Sequence, residues 1–183
     1  MRVGVLGEGA ERTARHFSRF FARFYNETAD ETANNETADQ TAESISGDIA
    51  CNMPLNYDIL LLLSDDALSG RCLSSLKDGA VVLADTDNVP LSSLLGYEGL
   101  IVTFGFNSRA CITASSIMDD DSIQVCVQRS LLTCKGEVMF EQEFPVTLPV
   151  GDPKTVLALC ACAILCGLYC GGEKSGEHCR APV

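Results

Sequence analysis

Residues 3–13 (VGVLGEGAERT) constrain this chain more than any other stretch. An apolar run, glycines at 7 and 9, and a switch to helical spacing read as a buried strand, a glycine-rich turn and the start of a helix. That unit belongs to layered α/β folds, in which the turn emerges at the carboxyl end of a strand. Nucleotide-phosphate loops are built the same way. They aim backbone N–H groups at the anion, use a lysine to reach the outer phosphates, and use Ser or Thr to hold magnesium. Gly7, Gly9 and Thr13 meet the first and third needs. The lysine position holds Arg12 or Glu11, according to register, and Glu8 and Glu11 set negative charge beside an incoming phosphate. The candidate phosphate-binding residues are therefore Gly7, Gly9, Arg12 and Thr13. A dinucleotide fingerprint is the other reading of Gly7-Glu8-Gly9. Its third glycine position is Arg12, too bulky for close helix–sheet packing, and its ribose-binding acid falls inside a repeat.

The helix after the loop is expected over 10–24. Ala14, Phe17, Phe20, Phe21 and Phe24 supply an apolar side, and Arg12, Arg15, Arg19 and Arg23 share another face. That stripe reads as an anion-binding face or, more simply, as a solvated one. Next comes a near-perfect nine-residue repeat, 26–34 (NETADETAN) and 35–43 (NETADQTAE). Its low-complexity acidic composition cannot bury a core, so 26–48 is expected to be a disordered or solvated insertion.

Beyond it, 57–63 (YDILLLL), 79–84 (GAVVLA) and 100–105 (LIVTFG) read as central parallel strands covered on both faces. Ser64-Asp65-Asp66 can cap a helix over 67–76, and 90–95 forms a short one. Residues 122–132 alternate, Lys135-Gly136 forms a tip and 137–148 returns, which is an antiparallel hairpin; Pro145 puts the return strand at an edge. A helix over 153–169, stopped by Gly171-Gly172, ends the fold. The expected architecture is α/β, with a mostly parallel sheet, flanking helices and a C-terminal antiparallel hairpin. It forms one domain over 1–172 with a polar tail at 173–183.

The other chemistry-bearing residues have plain structural readings. Cys160, Cys162, Cys166 and Cys170 fall on a helix where they do not converge as zinc ligands do, and small residues there pack a helix onto a sheet. His16 and His178 stand beside no recognisable nucleophile. Asp85 and Asp87 end a strand where α/β sheets place ligands, and Asp119, Asp120 and Asp121 follow Met118. Both groups read as turn caps. No catalytic and no metal-ligating residue is assigned.

The formal net charge of −12 repels phosphate backbones and anionic membranes, which argues against nucleic acid as a partner. The ten cysteines lie among apolar neighbours and no apolar leader precedes the first strand, so reduced thiols and a cytoplasmic location are expected. The uncharged stretch 155–172 sits at the lower length edge of a membrane span, but its Ala, Cys and Gly content fits a buried helix better.

Residues 81–117 resemble the central domain of the Mur ligases. The run Thr103-Phe104-Gly105-Phe106-Asn107 is similar to that family's Tyr/Phe-Gly strand, and Ala110-Cys111-Ile112-Thr113-Ala114 to the strand that follows. Residues 144–146 and the Ala-rich helix from Pro153 resemble the end of the domain. The resemblance implies an ATP-using ligase fold with a Gly-Lys-Thr/Ser loop, a magnesium-binding glutamate and a lysine-linked ligand. Only Thr13 of that loop carries over; the lysines are 77, 135, 154 and 174. Nor has the chain room for the family's two substrate domains. The expectation is a non-catalytic binding or regulatory domain, linked to cell-envelope metabolism and without a required cofactor, acting through a protein partner. The alternative is an enzyme or sensor that keeps ATP (with magnesium) or a dinucleotide in the altered loop.

Overall fold

The structure, a computed structural model, describes residues 1–28, 41–45, 56–65, 70–119, 122–147 and 152–168. Ten strands occur among them: β1 (Arg2–Leu6), β2 (Thr41–Ile45), β3 (Ile59–Leu62), β4 (Val81–Asp85), β5 (Leu100–Phe104), β6 (Ile112–Asp119), β7 (Ser122–Val127), β8 (Leu131–Leu132), β9 (Val138–Met139) and β10 (Gln142–Thr147). The α-helices are α1 (Ala10–Thr28), α2 (Gly70–Ser74) and α3 (Pro153–Leu165), and a 3-10 turn covers Leu91–Leu94. One eight-stranded sheet runs in the order β10-β7-β6-β5-β4-β3-β1-β2. Its β2-to-β6 part is parallel, and β6, β7 and β10 are antiparallel. This is the expected α/β architecture.

The apolar strands work because their side chains alternate between two covered faces. Val3, Val5, Ile59, Leu61, Val81 and Leu83 join Phe17 of α1 and the buried residues of α3 in one core. Leu6, Leu60, Leu62, Val82 and Ala84 form a second core on the opposite face with Cys72, Leu73, Val89 and Leu94. Every residue of α3 from Thr155 to Leu165 is buried. Each large aliphatic side chain so buried contributes about 1.5–3 kcal/mol, whereas ordinary helix propensities differ by less than about 1 kcal/mol per residue. Packing therefore decides that this segment is helical.

Both ends of α3 are specified locally. Asp152 is the N-cap: Oδ1 accepts from the Lys154 N–H at 3.3 Å and Oδ2 from the Thr155 N–H at 3.0 Å, with Pro153 in the first turn. At the other end Gly167 adopts φ +63°, Gly167 N–H donates to Ile164 O and Leu168 N–H to Ala163 O. That pair of bonds is a Schellman closure. The helix thus stops at Gly167, not at Gly171-Gly172, because the turn that satisfies its last carbonyls comes earlier. Among the described residues no helix is long and apolar enough to cross a membrane.

Three other expectations change. Part of the 26–48 insertion is structured: α1 continues to Thr28, and Thr41–Ile45 pairs in parallel with β1. A polar strand is tolerated there because β2 lies at the edge of the sheet. The expected hairpin is interrupted, since β7 pairs with β10 but Lys135-Gly136 tops a separate β8–β9 ribbon. Pro145 does lie in the edge strand β10. Finally, Cys134 is exposed rather than in the core. Residues 29–40, 46–55, 66–69, Asp120, Asp121, Cys170, His178, Cys179 and the tail lie outside the described residues.

Candidate functional site

The chain leaves β1 for β2 on one side and returns to β3 on the other, so loops at the carboxyl ends of β1 and β3 part in opposite directions. Such a switch point leaves a crevice. Here a cleft of about 430 Å³ opens between the β1–α1 loop, the ends of β3 and β4, and the N-terminus of α3.

Gly7 and Gly9 shape its first wall, with φ of +113° and +78°. Gly7 has no room for a side chain: a Cβ would lie 2.5 Å from Ser64 N and 2.7 Å from Ser64 Oγ. The loop is pinned to β3 by the Glu8 N–H, which donates to Ser64 Oγ at 3.0 Å. Ser64 therefore holds the glycine loop instead of capping the next helix. Gly9, Arg12 and Thr13 line the cleft, while Gly7 sits behind it against Ser64. Thr13 is only 6% exposed, and its hydroxyl makes no hydrogen bond among the described residues. Arg15 and Arg19 are exposed on α1.

The opposite wall carries a lysine that a search for a loop lysine misses. Lys154, in the first turn of α3, places Nζ 2.6 Å from Asp85 Oδ1 and also pairs with Asp87 Oδ2. Phe106 and Phe104 lie 5.1 Å and 5.7 Å from the same ammonium, within cation–π range. The cradle is braced on every side. Asp85 accepts from the Asp87 N–H at 3.0 Å and Asn88 Nδ2 at 2.8 Å. Asp87 accepts from the Phe106 N–H at 2.8 Å and Asn107 Nδ2 at 2.7 Å. Asp85 and Asp87 thus brace the turn, as a capping role requires, and also hold Lys154.

These contacts set the titration of the cleft. Burial pushes the Asp87 carboxyl up, but hydrogen bonds from Lys154, Phe106 and Asn107 and the lysine charge outweigh it, so its pKa lies below the ordinary value. Asp152 is likewise lowered: burial opposes, while hydrogen bonds from Thr155 and Lys154 and the charge of Arg12 prevail. His16 is lowered first by burial and then by Arg12, Arg19 and Arg15.

Four acids, Glu8, Asp65, Asp85 and Asp152, line the cleft against two cations, Arg12 and Lys154. Lys154 is already neutralised. The α1 N-terminus, Arg12 and the Thr13 hydroxyl suit an anion, but the donor set does not fit the phosphoryl-transfer cradle of a magnesium–nucleotide complex. Among the described residues no group of three or more His, Cys, Asp or Glu could hold a metal ion.

Asp152-Pro153 was the available signal for Lys154. An N-cap followed by proline fixes a helix start, which places Lys154 in the first turn of α3.

No family model matches the sequence, and no curated protein matches it. Solved structures match its fold. A UDP-N-acetylmuramoylalanyl-D-glutamyl-2,6-diaminopimelate–D-alanyl-D-alanyl ligase from Acinetobacter baumannii matches with a TM-score of 0.58 at 10% identity, over 91% of this chain and 43% of that one. A crystal structure of MurF from the same organism gives 0.57 at 10% identity, over 91% and 42%. The chain spans less than half the length of these structures. At such identities the likeness is one of fold, and the chain is similar in fold to the Mur ligases.

Proposed function

We propose that this chain is a Mur-ligase-like binding or regulatory domain that does not transfer phosphoryl groups. One observation carries the reading: the lysine of the cleft is committed to Asp85 and Asp87, and the glycine loop has none of its own. Phosphoryl transfer depends on cations aimed at the developing phosphate charge, whereas here Glu8, Asp65 and Asp152 face the cleft. The neighbour's name, a ligase of a UDP-N-acetylmuramoyl peptide, links the reading to cell-envelope metabolism. A protein partner then takes the place of a substrate. Incubation with ATP and magnesium tests it: phosphate release at the level of a protein-free blank is expected, and turnover would refute it.

A second reading has its own observation. Gly9, Arg12 and the unengaged Thr13 hydroxyl still line the cleft at the α1 N-terminus. They suit the phosphate of ATP or of a dinucleotide, bound but not cleaved. Calorimetric titration with ATP–magnesium and with NAD(H), repeated on Arg12→Ala, tests this. Weaker binding by the variant supports it; equal affinity counts against it.

A further inference from the structure

The contacts of Lys154 bear on how the cleft is regulated. Its ammonium makes two ion pairs and sits near two aromatic rings, all within one chain. Asp85 is 1% exposed, whereas Asp87 lies on the exposed turn after β4. Their roles therefore differ. Asp85 anchors the amine from the sheet side, and Asp87 closes over it from the solvent side. Arg12 and the buried Thr13 hydroxyl line the same cleft. An anion bound there gains a second cation only when Lys154 turns away from Asp87.

We propose that the Asp85–Lys154–Asp87 clasp is a gate: it withholds Lys154 from the cleft, and opening it switches on binding of a phosphate-class anion at Arg12, Thr13 and the α1 N-terminus. This rests on the second reading above, that these groups receive an anion. Asp87 is the movable half, because its other two bonds, from the Phe106 N–H and Asn107 Nδ2, go to a carboxylate oxygen that an asparagine retains in part. A ligand or partner that engages Asp87 opens the gate; one that leaves it alone does not.

Two measurements on the purified chain test the gate, with inorganic pyrophosphate plus magnesium as the probe. The first is the rate at which an amine-acylating reagent labels Lys154 in the wild type and in Asp87→Asn, read by peptide mass. The second is calorimetric affinity for pyrophosphate in the wild type, Asp87→Asn and Asp87→Asn/Lys154→Met. Slow labelling in the wild type, fast labelling in Asp87→Asn, and roughly ten-fold tighter binding by Asp87→Asn that the double variant loses are expected. Equal labelling rates in the wild type and Asp87→Asn mean that Asp87 is no latch and overturn the gate, whatever binds. Labelling that is released without any pyrophosphate binding overturns the anion reading and the gate with it. A gain that survives in the double variant reflects lost negative charge alone, and also overturns the gate. Wild-type labelling does not depend on the variants folding: Lys154 reacting as fast as the exposed Lys135 is sufficient to refute a closed clasp.

Discussion

Lys154 Nζ lies 2.6 Å from Asp85 Oδ1, joining the first turn of α3 to the carboxyl end of β4 beneath the cleft. The Asp85 side chain is 2% exposed and that of Lys154 23%. Removing the lysine leaves a buried carboxylate without its cation, a change that costs about 3–5 kcal/mol in comparable pairs. Lys154→Ala is expected near the lower end of that range in urea unfolding, since Asn88 and the Asp87 N–H still bond Asp85. Asp85→Asn combined with Lys154→Met is expected to cost less than the two single changes summed.

Gly7 and Gly9 both have positive φ, yet only Gly7 is crowded. Gly9→Ala meets open space and pays the left-handed backbone cost alone, about 1–2 kcal/mol. Gly7→Ala adds a collision with Ser64 backbone, so its loss in thermal unfolding is expected to exceed that of Gly9→Ala.

Ser64→Ala removes the acceptor of the Glu8 N–H. A loss of about 1 kcal/mol is expected, together with faster hydrogen exchange at the Glu8 amide. Unchanged exchange at Glu8 would mean that the loop is held by something else.

Stability falls toward acid in two windows. His16 has a lowered pKa in the fold, so its neutral form is favoured; that contribution is complete above the ordinary value of 6.5 and declines as pH falls below it. Asp58, Asp87 and Asp152 are also lowered, so their contribution is complete above 3.8 and is lost as pH falls through their lowered values. Urea midpoints measured from pH 8 to pH 3 are expected to show both declines. His16→Gln is expected to lose the first and Asp87→Asn to shrink the second.

The central strands were legible because Ile59–Leu62 and Val81–Asp85 are buried on both faces, which demands continuous apolar runs. Thr41–Ile45 was not legible, since its repeat composition signals a solvated segment and only its place beside β1 makes it a strand. The end of α3 was misread by four residues or more, because Gly167 and Gly171 look equally able to stop a helix in sequence; the bonds to Ile164 and Ala163 decide between them. Gly9, Arg12 and Thr13 could be picked out as neighbours along one loop. Lys154, Asp152 and Ser64 join them only through the crossing of the sheet, and linear spacing carries no trace of that.

The most direct test of the central claim is phosphate release by the purified chain with ATP and magnesium, followed over hours at high protein concentration. Release indistinguishable from the blank is expected of a cleft whose lysine is bound to Asp85 and Asp87. Sustained, protein-dependent turnover that Arg12→Ala or Thr13→Ala abolishes would contradict it.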